Sequence, residues 1–201
     1  MNPTQALGEL ADLDLEILET REVASRLSIT VSHASHILRT LNDSGLVLRI
    51  RHGLWSLDPQ IEPFAVPPYL TAPFPAYVSL WSALAHHGMI EQIPRRVSAA
   101  SLDRSRQIPT ALGTYSIHHL APVLFGGYSH LDGLGDIADP EKALFDTIYV
   151  RVPRGGSTYL PEIDLPESFR REQLEMWIDR IPAPRLKTLV SRRVEEVLAT
   201  T

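Results

Sequence analysis

The chain has 201 residues, 44% of them hydrophobic, with no cysteine and a formal net charge of −5. This length fits one or two domains. The lack of cysteine excludes a disulfide framework and a thiolate metal site, and no apolar run nears the roughly 18 residues of a transmembrane helix. The first 19 residues carry five acids and no base, unlike a signal or transit peptide, so the expected location is cytoplasmic and no membrane partner is expected.

Asn2-Pro3 predicts a helix start, with a short helix running to about Leu10. Thr20 is the expected cap of a second helix over 21–27, with Val23, Ala24 and Leu27 on one face. Thr30 is the expected cap of a third, 31–43. There Ala34, Ile37, Leu38 and Leu41 repeat at the spacing of one apolar stripe. Ser28 stands in the turn between them, where glycine is common. Gly45 occupies the place of a left-handed C-terminal cap. Leu46, Leu48 and Ile50 alternate with polar residues as an inward strand face, His52-Gly53 supplies a turn, and Leu54–Leu57 returns. The order helix, helix, turn, helix, hairpin predicts a winged helix-turn-helix over 1–58.

Residues 58–75 contain six prolines, at 59, 63, 67, 68, 73 and 75. Proline lacks an amide donor and biases its predecessor away from helix, so 59–75 is expected to be an extended linker. Residues 76–201 form the second predicted domain. A helix is expected over YVSLWSALAHHGMI, ending near Gly88, and strands over 97–102, 114–120 and around 123–130, in a small antiparallel sheet. Asp139-Pro140 predicts a capped helix over 140–150 that is apolar nearly all round and therefore buried. Two tail helices follow. Leu174, Trp177, Ile178 and Ile181 stripe the first; Leu186, Leu189, Val190, Val194, Val197 and Leu198 stripe the second. The fold class is α+β.

The third helix carries the chemistry of the first domain. Ser32, His36 and Arg39 lie opposite its apolar face, flanked by His33, Thr40 and Ser35. With Thr30, and with Arg49, Arg51 and His52 on the hairpin, they form the candidate DNA-binding set: side chains able to reach a base edge or a phosphate. Residues 21–57 hold five arginines against Glu22 and Asp43, a net of +3, so an acidic chain can carry a basic face. Histidine changes charge within the physiological range, so His33 and His36 predict DNA affinity that rises with falling pH. The competing reading of this fold is a protein-interaction or dimerisation module.

His86, His87, His118, His119 and His130 invite a metal reading. Neighbours on a helix or strand diverge, however, so neither pair can chelate one ion, and the reading favoured is cap, core-edge and surface residues, with no metal and no cofactor. Asp146 stands on the apolar helix, where Lys142 can pair with it at i−4; the alternative is a charged contact for a partner or ligand. No phosphate loop, nucleophile elbow or dinucleotide fingerprint is present, so no enzyme is expected.

Three stretches, GLVLRIRHGLWSL, YVSLWSALAHHGMIEQIP and IADPEKALFDTIY, resemble the AbiEi-type antitoxins of type IV toxin–antitoxin systems, which are linked to abortive phage infection. Tyr77, Ser79, Ser82, His87, Gly88, Pro140, Glu141, Lys142 and Asp146 fall on the family's motif positions. The resemblance implies a transcriptional repressor whose first domain binds double-stranded DNA at inverted repeats in its own promoter. It implies a second domain supporting dimerisation or cooperative binding and carrying antitoxicity. The partner would be a nucleotidyltransferase-like toxin, linked in function without firm binding. Position 36, often arginine in winged-helix regulators, is histidine. The alternatives are a solitary winged-helix repressor without a toxin and a one-component regulator whose second domain senses a ligand, for which a pocket between Tyr115, His119 and the Asp146 helix would speak. A third, an enzyme domain fused to the winged helix, would be marked by turnover.

Overall fold

A computed structural model of the chain describes residues 2–12, 15–152 and 162–200. The fold is mixed α and β. Two compact units divide it, Met1–Pro63 with Pro109–Gly113, and Phe64–Ile108 with Thr114–Thr201.

The first unit runs α1 (Pro3–Ala11), β1 (Ile17–Glu19), α2 (Thr20–Arg26), α3 (Val31–Asp43), β2 (Leu48–Arg51) and β3 (Leu54–Ser56). Asn2 caps α1 by accepting the Gln5 amide at 2.8 Å, and Thr30 caps α3 by accepting the His33 amide at 3.2 Å. The α3 stripe Ala34, Ile37, Leu38 and Leu41 is buried with Leu10, Val23, Leu27 and Trp55 in one core. Thr20 does not cap α2. It lies within the helix, and its hydroxyl accepts the Trp55 indole N–H at 2.8 Å. The hairpin also gains a third strand that alternation did not predict: β1 pairs antiparallel with β3, giving the order β1-β3-β2. Leu46 is exposed, and Val47 enters the core in its place. The reason is that Leu46 and Val47 lie in the turn before β2, outside the alternation of the strand, which starts at Leu48.

Three helices end in one way. The residue after the C-cap turns left-handed at Ser28, Gly45 and Gly88. The next amide then reaches back to the helix: Ile29 to Ala24 at 3.0 Å, Leu46 to Leu41 at 3.0 Å, Met89 to Leu84 at 2.8 Å. Glycine suits this backbone; Ser28 adopts it against its side chain.

The second unit contains a six-stranded mixed sheet, not the small antiparallel sheet expected. Its strands are β4 (Ala76–Val78), β5 (Val97–Ser101), β6 (Arg106–Thr110), β7 (Gly113–His119), β8 (Tyr128–Leu131) and β9 (Gly135–Ala138), in the order β6-β7-β5-β4-β9-β8. The β5/β7 and β4/β9 pairs are parallel, while β4/β5 and β8/β9 are antiparallel. The helices are α4 (Pro67–Thr71), α5 (Leu80–His86), α6 (Pro140–Arg151), α7 (Arg171–Asp179) and α8 (Pro184–Leu198).

Two expectations are corrected here. The proline-rich stretch is not wholly extended: Pro63–Ala65 forms a 3-10 turn and α4 follows, with Val66, Leu70 and Thr71 buried. Pro67 and Pro68 occupy the first helical turn, where the missing amide costs nothing. Nor does the helix begin at Tyr77. Tyr77 and Val78 belong to β4, inside the sheet, and α5 starts only at Leu80. The β-forming pair Tyr-Val outweighs the helical spacing that follows it.

Residues 141–148 of α6 are all buried, as its apolar circumference predicts. It packs against α5, α7, α8 and β9. The tail stripes enter the same core through Leu174, Ile178, Ile181, Val190, Val194 and Val197, although Leu189 is exposed. No described helix is long and apolar enough to cross a membrane.

Ser28→Gly should raise stability by about 0.5–1 kcal/mol, since a non-glycine residue in the left-handed region costs roughly 1–2 kcal/mol and glycine's extra unfolded-state entropy returns part of it. Urea unfolding of the two full chains measures the difference.

Candidate nucleic-acid interface and buried polar cluster

In the first unit a groove of about 570 Å³ lies between α3 and the β2–β3 hairpin. Ser32, Ser35 and Arg39 line it from α3; Arg49, Arg51 and His52 line it from the hairpin. Six of the nine predicted residues therefore share one concave surface. Thr30, His33 and His36 do not line it. Thr30 is occupied as the α3 cap. His33 and His36 sit one residue along from Ser32 and Ser35, about 100° around the helix, His33 half-buried and His36 exposed.

The rigid parts of this groove come from local hydrogen bonds. The Asn42 side chain accepts the Arg49 amide at 2.9 Å, fastening the end of α3 to β2. The Arg49 guanidinium carbon lies 5.6 Å from the centre of the Trp55 ring, and that ring is held by Thr20. Arg39 Nε donates to the Ser35 carbonyl at 3.1 Å, laying the side chain back along its helix. A register shift between Arg49 and Arg51 leaves both exposed with Ile50 buried between them.

Sequence reasoning missed Glu19, Arg21 and Val31 as lining residues. Arg21 was visible as local charge, but its place at the start of α2 beside the hairpin depends on β1, which went unpredicted. Four arginines and one carboxylate, Glu19, thus line the groove.

The second unit brings its motif residues together around Asp146. Tyr77, Ser79, Lys142 and Asp146 are all 0% exposed. The carboxylate accepts hydrogen bonds from Tyr77 Oη at 3.0 Å and Ser79 Oγ at 2.7 Å, both at Oδ2. Lys142 Nζ donates to Oδ1 from one helical turn away. Burial pushes the Asp146 carboxyl upward, opposed by Lys142 and the two hydroxyls, and pulls the Lys142 ammonium downward, opposed by Asp146. Burial, with the Asp146 charge beside it, raises the Tyr77 phenol strongly.

Aromatic rings close the box around Lys142. Its Nζ is 4.6 Å from the centre of Trp177, 5.0 Å from Phe145 and 5.7 Å from Tyr77. Arg180 lies 4.2 Å from the Trp177 centre. A side chain at Gly127 would place its Cβ 2.5 Å from Trp177, so only glycine permits this approach.

The remaining motif residues fasten the surrounding elements. Ser82 accepts the Ser98 amide at 2.9 Å and donates to the Arg96 carbonyl at 3.2 Å. His87 Nε2 lies 2.7 Å from the Ala138 carbonyl oxygen, which requires a proton on that nitrogen. Gly88 ends α5, and Pro140 opens α6. Glu141 accepts the Arg170 amide at the start of α7. Asp139 stands at the N-cap position, but its side chain makes no cap; it accepts the Ser129 hydroxyl at 2.8 Å instead. Leu80, the first residue of α5, has φ +53, an outlier for a bulky residue.

Tyr115 is buried on β7, and His119 sits at the exposed end of that strand, its Nδ1 3.2 Å from the Leu102 and Asp103 carbonyls. β5 and β4 intervene between β7 and β9 in the sheet. Burial pulls His86 downward, with His87 adding to the effect. Among the described residues no group of three or more His, Asp or Glu side chains converges as a metal site.

No protein-family model matches the chain, and no curated protein matches it significantly.

Lys142→Met should cost about 3–5 kcal/mol, because it strands a buried carboxylate. Adding Asp146→Asn should recover at least about 1 kcal/mol of that, since both charges are then gone while the amide oxygen still accepts Tyr77 and Ser79. A double-mutant cycle by urea unfolding reads the coupling; strictly additive losses would contradict a buried ion pair. Stability should also fall as pH rises above about 10, the ordinary tyrosine value. The unfolded chain then releases phenolic protons that folded Tyr77 and Tyr115 retain. Tyr77→Phe should flatten that slope in unfolding curves taken between pH 9.5 and 11.5.

Proposed function

We propose that this chain is a DNA-binding transcriptional repressor whose first unit is a winged helix-turn-helix. The arginine-lined groove between α3 and the hairpin carries the reading. The order α1-β1-α2-α3-β2-β3, with a short β1 closing the hairpin sheet, supports it. In such a module the third helix enters the major groove and the hairpin lies against the neighbouring backbone. Arg39, Arg49, Arg51 and Arg21 would neutralise phosphates or grip guanine edges, and Ser32 and Ser35 would donate to or accept from bases.

A groove with four arginines makes a small electrostatic footprint, so one copy binds weakly and two copies on an inverted repeat bind well. The resemblance of the second unit extends the proposal: the repeat lies in the chain's own promoter, and the chain acts in the cytoplasm as the autoregulating antitoxin of a type IV system. Its functional counterpart would be a nucleotidyltransferase-like toxin. The reading gives the second unit no catalysis, because Ser79, Lys142 and Asp146 are sealed from solvent.

In a gel-shift titration on the duplex upstream of its own coding sequence, Arg39→Ala and Arg51→Ala should each weaken binding about tenfold, as the loss of a phosphate or guanine contact implies. If the lost contact is to phosphate, the slope of log affinity against log salt should fall by about one. Unchanged affinity in both variants would contradict this face as the interface.

A further inference from the structure

We propose that Val31 reads the 5-methyl group of a thymine in the bound DNA, an inference that rests on the DNA-binding reading. Val31 is the first residue of α3 and is 49% exposed. It lines the groove beside Ser32, Ser35 and Arg39. The core face of α3 is complete without it, because Ala34, Ile37, Leu38 and Leu41 are all buried.

The neighbours of Val31 on α3 in this groove are hydroxyls and a guanidinium. Those groups form hydrogen bonds with several bases and with phosphate alike. Valine forms none; Leu54 and Trp55 also line the groove but are buried in the core, so the half-exposed Val31 gains from DNA only by meeting another apolar group. On the major-groove floor of unmodified DNA that group is the thymine methyl. The first turn of a reading helix is the part that meets base edges, and the Thr30 cap fixes that turn through the His33 amide. A β-branched side chain in a helix keeps one preferred rotamer, so both methyls are presented without further loss of entropy.

The test uses the full chain and the duplex it enriches from an unmethylated random-sequence pool. Each thymine in that duplex is replaced singly by deoxyuridine, which removes only the methyl. For the wild type, one position per half-site should lose about fourfold in affinity, the value of one buried methyl group. Val31→Ala should bind the intact duplex several-fold more weakly and be indifferent to uracil at that same position, while keeping the wild-type response elsewhere. Val31→Thr, which keeps the shape and the fold, should lose part of the discrimination. A Val31→Ala variant as sensitive as the wild type at every thymine overturns the inference and leaves the DNA-binding reading standing. Failure of the wild type to enrich any sequence overturns both.

Discussion

A carboxylate with no solvent exposure must be solvated by the protein, and in the second unit much of the architecture converges on that requirement. Asp146 draws one hydroxyl from β4, a second from the β4–α5 turn, and an ammonium from its own helix. The ammonium in turn needs a lining, which Tyr77, Phe145 and Trp177 provide. Trp177 belongs to α7, so the demand of one charge reaches from the middle of the sheet to the tail helices. Burying an unpaired charge is costly enough to be disfavoured in any arrangement that breaks the cluster. Any packing that separates the pair is thereby disfavoured.

The first unit uses a polar tie for a different end. The Thr20–Trp55 hydrogen bond joins the start of α2 to β3, and Trp55 supports Arg49 from beneath. The same threonine hydroxyl also reaches the Gly53 carbonyl at the hairpin turn. Exposed arginines are flexible, and ordering them on binding carries an entropic cost. Resting Arg49 on a fixed ring and Arg39 along its own helix reduces that cost before a ligand arrives.

Helices with a clean stripe were legible in the sequence. The face of α3, its Thr30 cap and the buried circumference of α6 follow from spacing and capping chemistry. The Lys142–Asp146 pair followed from i, i+4 geometry on an apolar helix. What escaped depends on partners distant in sequence. β1 is three residues long and forms only because β3 offers it a ladder. β4 looked like the first turn of α5, because Tyr77 and Val78 are apolar in either period; the neighbouring strands β5 and β9 decide between them. Thr20 fits a cap by residue type, yet the indole of Trp55, 35 residues away, claims its hydroxyl. The groove shows the same division. The residue types on α3 and the hairpin were readable, but which side of α3 faces the hairpin was not, so His33 and His36 were grouped with residues that lie around the helix from them.

The net charge of −5 bears little on what this groove attracts. At physiological ionic strength a surface charge is screened within about 8 Å. A phosphate entering the groove therefore responds to the lining, four arginines and Glu19, and not to acids elsewhere on the chain. Glu19 has a consequence of its own. A single carboxylate among guanidiniums repels phosphate locally while it can accept from an amino group on a base edge. Such an arrangement weakens sequence-independent binding more than it weakens a correctly paired site. Under the proposed DNA-binding reading, a small basic groove on an acidic protein would favour discrimination over raw affinity, and the apolar Val31 would act in the same direction.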